Sequence, residues 1–251
     1  MPRPTLREQL EATPYPATVD KYWEAWYFLL GMCDQYHDPY AFRYELNAFI
    51  QSLRNITFMV QSEPSRPKDF DSWYSNEQKM MRADQDLRKF VEARNLIVKQ
   101  SNLATASKAE LGLFRGRRFK LGLNLDLSPF HDSAYLISKA QEFMIGFMID
   151  PEHSQVGEQV GLRRTWIAPD LGSTEAVGLC AVGLSKIGGL LQRMHAQCGV
   201  TFDAGFDLPD LESVYVRLES DIDPTLPEKW GWNDALSRGT HSDASQETHP
   251  K

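Results

Sequence analysis

Cysteine is scarce in this chain of 251 residues: Cys33, Cys180 and Cys198 are an odd set of three with no CxxC pair. That excludes a disulfide framework and the paired-thiol zinc sites. Long apolar runs are missing too, since none approaches the roughly 20 residues of a membrane span. The opening MPRPTLREQLEATPYP has no apolar stretch of the secretory type, so no signal peptide and no membrane association are expected, and the expected location is the cytoplasm. Positive charge is in deficit, with 27 Lys and Arg against 34 Asp and Glu and a net charge of −7. A polyanion binder held by bulk charge is thereby excluded, although a local basic site is not. The phosphate-cradling loops GxxxxGK[ST] and GxGxxG are absent, as are HExxH and GxSxG. The six histidines are dispersed. His195 and Cys198 have the spacing of two ligands on one helical face, but a cysteine on an apolar helix usually packs as a small hydrophobe. No metal or other cofactor is expected.

What is present is mostly helical periodicity. Residues 1–17 are polar and proline-rich and read as a flexible arm. From Thr18 to Tyr36 the chain is dense in aromatics, among them Tyr22, Trp23, Trp26, Tyr27 and Phe28, whose helical spacing marks core or interface. Asp38 and Pro39 read as an N-cap and a first helical residue. The following helix carries Leu46, Phe49, Leu53, Ile56 and Val60 on one stripe, so an antiparallel hairpin of two helices is expected. Another helix spans Asp84–Gln100. After Ser107 the period changes to two, with Leu111 and Leu113, then Phe119, Leu121, Leu123, Leu125 and Leu127, and Arg115-Gly116 offers a hairpin turn. Val160, Leu162, Arg164 and Trp166 alternate as a further strand. A long helix ends near Cys198 with Gly199 beyond it, and Val214, Val216 and Leu218 suggest a last short strand. The reading is an α+β, predominantly helical protein: one domain over 18–233 with a β insertion near 109–127, and a disordered tail over 234–251, which lacks apolar residues.

Three features carry candidate chemistry. Arg94-Asn95 lies in a helix whose apolar stripe is Leu87, Phe90, Val91, Ile97 and Val98, seven residues after Leu87 and so in mid-stripe. A guanidinium there needs carboxylate, phosphate or carbonyl partners. Either it is a structural arginine satisfied by carbonyls or by a carboxylate such as Glu45, or it forms a polar notch that holds a phosphate through its fork of donors. Arg54-Asn55 repeats the dipeptide on the preceding long helix, and two arginines facing one groove would clamp a phosphate. The turn around Arg115, Arg117, Arg118 and Lys120 is basic and suits backbone contact with nucleic acid; its alternative role is a solubilising hairpin tip.

The helical hairpin with FRYELNAFIQSLRNITFMVQSE on its second arm, followed by EARNLIVKQ on a later helix, resembles the HEPN-domain proteins of bacterial toxin–antitoxin and other defence or stress systems. Active members carry an arginine followed four to six residues later by histidine, and two such motifs meet across a dimer to cleave RNA without metal. The resemblance makes Arg94 the catalytic arginine and Asn95 the polar residue beside it. The histidine window holds Val98, Lys99 and Gln100, of which only Gln100 bonds a phosphate or 2′-hydroxyl, and none titrates as a base near neutrality. The resemblance thus implies a catalytically degenerate HEPN-like module that dimerises and binds RNA or a nucleotide. Its alternatives are a metal-independent endoribonuclease toxin and a structural subunit of a larger complex, and a cognate protein is a further expected partner.

Overall fold

The structure is a computed structural model that describes residues 5–99, 103–123, 127–128, 130–145 and 158–226. It is α+β and mostly helical, as read from sequence. The helices are α1 (Leu6–Ala12), α2 (Pro16–Asp34), α3 (Pro39–Ser62), α4 (Phe70–Ala83), α5 (Gln85–Lys99), α6 (Ser133–Ile145), α7 (Ala176–Ala196), α8 (Leu211–Tyr215) and α9 (Glu219–Ile222). The strands are β1 (Ala106–Arg115), β2 (Arg118–Leu123), β3 (Glu158–Ile167) and β4 (Val216–Leu218). The chain divides into two compact units: residues 1–107 with 166–209, and residues 108–165 with 210–251. The tail over 234–251 and Gln100 lie outside the described residues.

The first unit is built on the hairpin of α2 and α3. Asp38 caps α3 by accepting from the N–H groups of Tyr40 and Ala41, both at 2.9 Å, with Pro39 next to it. Cross-links between the two helices run in opposite chain directions. Thr18 meets the buried carboxylate of Glu63 through its N–H and hydroxyl, each at 2.7 Å, and Ser52 donates to Glu24 at 2.9 Å. That order requires antiparallel helices. The apolar stripe Leu46, Phe49, Leu53, Ile56 and Val60 is buried, as are Tyr22 and Trp23. Helix α7 packs on this hairpin through its glycines. A Cβ on Gly183 would lie 2.5 Å from Phe90 of α5, and one on Gly188 would lie 2.9 Å from Tyr22 Oη. The small residues of α7 therefore serve close approach within the chain. Gly199 ends the run at φ 69°.

The segment read as an arm carries α1, which has a capping box between Thr5 and Glu8 and buries no residue. One anchor is on the helix, where Gln9 accepts from Trp23 Nε1 at 3.0 Å, and the others come after it. Thr13 Oγ1 lies 2.7 Å from His195 Nε2, and Tyr15, fully buried, sets its hydroxyl 2.8 Å from Cys198 Sγ. The other ring nitrogen of His195 is 2.7 Å from the Leu191 carbonyl, and the ring stacks on Phe202. Both nitrogens are thus engaged within the protein.

The second unit centres on a four-stranded sheet of order β2-β1-β3-β4. The two-residue turn Gly116-Arg117 joins β1 to β2, and Gly116 supplies the required positive φ of 54°. An irregularity between Leu113 and Phe114 shifts the register, which lets consecutive residues be buried in separate clusters. Leu111 and Leu113 join Val160, Leu162 and the α6 residues Leu136, Ile137 and Ala140; Phe114 joins Val216 and Leu218. Arg164 of β3 is fully buried, donating to Ser133 Oγ at 3.2 Å and the His131 carbonyl at 2.6 Å.

Two outcomes follow from this packing. Gly183→Val drives a branched side chain into Phe90 and is expected to cost about 1–3 kcal/mol, read as a lower thermal midpoint; an unchanged midpoint contradicts the close approach of α5 and α7. Burial disfavours the charged form of His195 and lowers its pKa below 6.5, although the Leu191 carbonyl and Glu63 act the other way. The folded state then holds fewer protons at this site than the unfolded chain, so the contribution of His195 is whole above about 6.5 and is lost as pH falls through the depressed folded value. His195→Phe should flatten the decline of urea midpoints between pH 7 and pH 5.

Candidate functional site

Helix α4 buries little: Phe70, Tyr74 and the carboxylate of Glu77. Charge holds it instead. Arg193 of α7 grips Glu77 with both arms of its fork, Nε to Oε1 at 2.9 Å and an Nη to Oε2 at 2.7 Å. Lys186, two turns earlier on α7, donates to Asp84 and Asp86 at the α4–α5 junction, each at 2.7 Å. Asp84 also caps α5 by accepting from the N–H groups of Asp86 and Leu87. Burial opposes its ionisation, but the Lys186 ammonium and those two N–H groups outweigh it and hold its carboxyl below the usual range.

With α4 placed in this way, a cavity of about 240 Å³ opens among α3, α4 and α5, with Ile187 of α7 contributing to its wall. Leu53, Met81, Leu87, Phe90 and Val91 make it predominantly apolar, and Arg54, Thr57, Gln61, Tyr74 and Gln78 add polar groups. Arg82 and Arg88, both exposed, complete the lining. Tyr74 is buried and donates to the Thr57 carbonyl at 3.1 Å, tying α4 to α3 across the cavity. Arg54 is half-buried, donates to the Thr57 hydroxyl and lies over the Phe58 ring at 4.3 Å. Burial disfavours its charge, Tyr74 acts the other way, and the positive charge of Arg94 adds a smaller push in the same direction as burial.

Arg54 of α3 lines the cavity, whereas Arg94 of α5 is not part of its lining. Arg94 is not in mid-stripe as expected. Phe90 and Ala93 form the buried face of α5, and Arg94 is half-buried on its flank, its guanidinium 3.5 Å from Asn95 Oδ1. Glu45, the carboxylate considered for it, lies instead against Gly31 of α2. Among the described residues neither Arg54 nor Arg94 has a carboxylate within 4 Å, whereas Arg193, Arg117, Arg163 and Arg115 each do.

The basic hairpin is largely committed to its own unit. Arg115 pairs with Glu158 at 2.8 Å, and Arg117 reaches both oxygens of Asp221 together with the Val216 carbonyl. Arg118 and Lys120 are exposed on β2. Among the described residues no group of three His, Cys, Asp or Glu is placed to hold a metal ion, and none of the helices is long and apolar enough to cross a membrane. Thr57, Gln61, Tyr74 and Gln78 escaped the sequence reading. Thr57 and Tyr74 read as ordinary buried positions of α3 and α4, and Gln61 and Gln78 as polar residues on their flanks, so none of the four stands out.

These features describe a two-unit α+β protein whose helical unit encloses a small apolar pocket beside unpaired arginines. The profile of the family described as "Bacteriophage lambda protein ea47" matches residues 11–213, and the chain belongs to that phage protein family. Protein ea47 of Escherichia phage lambda is 36% identical over 87 residues, which is 34% of this chain and 21% of that relative. The chain thus matches about a fifth of that relative's length. No solved structure matches it.

This membership overturns the HEPN resemblance. The degenerate HEPN module, the endoribonuclease toxin and structural-subunit alternatives, the toxin–antitoxin setting and the RNA-binding role fall with it. The resemblance rested on an Arg-Asn dipeptide in an amphipathic helix after a helical hairpin, a combination that ordinary helix packing produces often.

The grip of Arg193 on Glu77 has a direct consequence. Arg193→Ala leaves a buried carboxylate unpaired and should lower stability by about 2 kcal/mol, less than the loss of a fully buried pair because Arg193 is half exposed. Amide hydrogen exchange should rise most in α4; uniform exchange across the helices contradicts this role.

Proposed function

We propose that the helical unit is a binding module that takes a small apolar group into the cavity between α3, α4 and α5. The observation that carries this reading is the cavity itself: about 240 Å³, walled mainly by Leu53, Met81, Leu87, Phe90 and Val91, with a few polar groups converging on it. Binding sites share that composition, an apolar wall giving affinity and sparse polar groups fixing orientation. An apolar cavity of about 150 Å³ accepts benzene, so this one suits a ligand of roughly ten non-hydrogen atoms. The wall on the α4 side is held by ion pairs and by the Tyr74 hydrogen bond, which fix it in place.

The test is ligand-observed NMR with a panel of apolar fragments of that size, on the full chain and on Met81→Trp. Met81 is half-buried at the cavity wall, so the indole fills the space with little strain on the core. Saturation transfer to several fragments is expected in the native protein and its loss in the variant, with the thermal midpoint preserved. Absence of any binder, or binding indifferent to the indole, overturns the reading.

A further inference from the structure

The pocket has an apolar body and, beside it, cationic groups without a counter-ion. Arg54 uses one arm on the Thr57 hydroxyl and has one face covered by Phe58. The rest of its fork is uncommitted among the described residues. A half-buried guanidinium that cannot lose its proton carries a standing desolvation cost unless an anion sits nearby. Tyr74 offsets part of that cost, and the positive charge of Arg94 adds a smaller amount to it. The carboxylates at the α4–α5 junction offer no relief, since Lys186 holds Asp84 and Asp86. Arg82 is exposed at the lining, and Arg88 meets Glu92 only at 3.8 Å across a solvated pair. In a chain with a net charge of −7, this end of the pocket is locally positive.

We infer that the ligand of this pocket is an amphipathic carboxylate, an acyl chain or single aromatic ring bearing one carboxyl group, with its tail in the cavity and its head on Arg54. This rests on the reading of the cavity as a binding site and adds the chemical class of its occupant. Arg54 offers the two parallel N–H donors that a carboxylate accepts. Arg94, outside the cavity lining, adds only a weaker positive charge to that of Arg54. By the measure that one benzene fills about 150 Å³ the cavity takes about ten non-hydrogen atoms, which leaves a tail of about seven once the three atoms of the carboxyl group are counted.

The experiment is titration calorimetry of the full chain with octanoate, octanamide and 3-phenylpropionate at low and high salt. Both carboxylates should bind at least tenfold more tightly than the amide, and the margin should shrink at high salt. Arg54→Met keeps the apolar stem and should equalise octanoate and octanamide while amide binding persists. Arg94→Gln should reduce the margin without abolishing it. Equal affinity for octanoate and octanamide in the native protein, or a carboxylate preference that survives Arg54→Met, overturns this inference and leaves the cavity reading intact. Failure of all three ligands together with the fragment panel overturns the cavity reading itself.

Discussion

The two-armed grip of Arg193 on Glu77 sets the spacing on which the helical unit depends. Apolar packing closes gaps, because every uncovered methyl group favours contact. A helix docked by a long side chain in an ion pair stops at the length of that side chain. Helix α4 buries only Phe70 and Tyr74 among its apolar residues, and Arg193 and Lys186 hold Glu77 and the α4–α5 junction at a fixed separation from α7. The space left over is the cavity. Phe90 links that space to the rest of the core: its ring fills the hollow left by Gly183, meets Phe49 edge-on and lines the cavity. The α2–α3 hairpin supplies the rigid side through residues such as Leu53, buried on one side and reaching the cavity on the other.

Much of the architecture was legible in the chain because it rests on local chemistry. Asp38 and Pro39 mark a helix start by their own hydrogen-bonding and φ preferences, and Gly116 and Gly199 occupy positive φ where L-residues are disfavoured. The period of two through Leu111 and Leu113 announces a strand by the pleat alone. The irregularity at Leu113 and Phe114 has no such mark, because it shows only when a partner strand is in place.

The pocket was less legible, for a physical reason. Periodicity tells which face of a helix is buried but not which helix it faces. The repeated Arg-Asn dipeptides on α3 and α5 are visible in sequence, but that Arg54 lines the cavity and Arg94 does not depends on the order in which helices pack. Arg94 itself was misjudged by one position. Successive helical residues are 100° apart, so Ala93 at the centre of the buried face puts Arg94 on its flank. Family membership shows in a match that extends over residues 11–213.

The N-terminal segment shows how unevenly stability is distributed along one chain. Helix α1 buries none of its residues, whereas Tyr15 and Thr18 just beyond it are wholly enclosed. The free energy of local opening therefore rises in a step near Thr13, not gradually along the helix. Before that step, unwinding α1 costs the hydrogen bond from Trp23 to Gln9 but little buried surface; after it, the backbone yields only with the core. A protease presented with the native chain has a natural place to stop trimming.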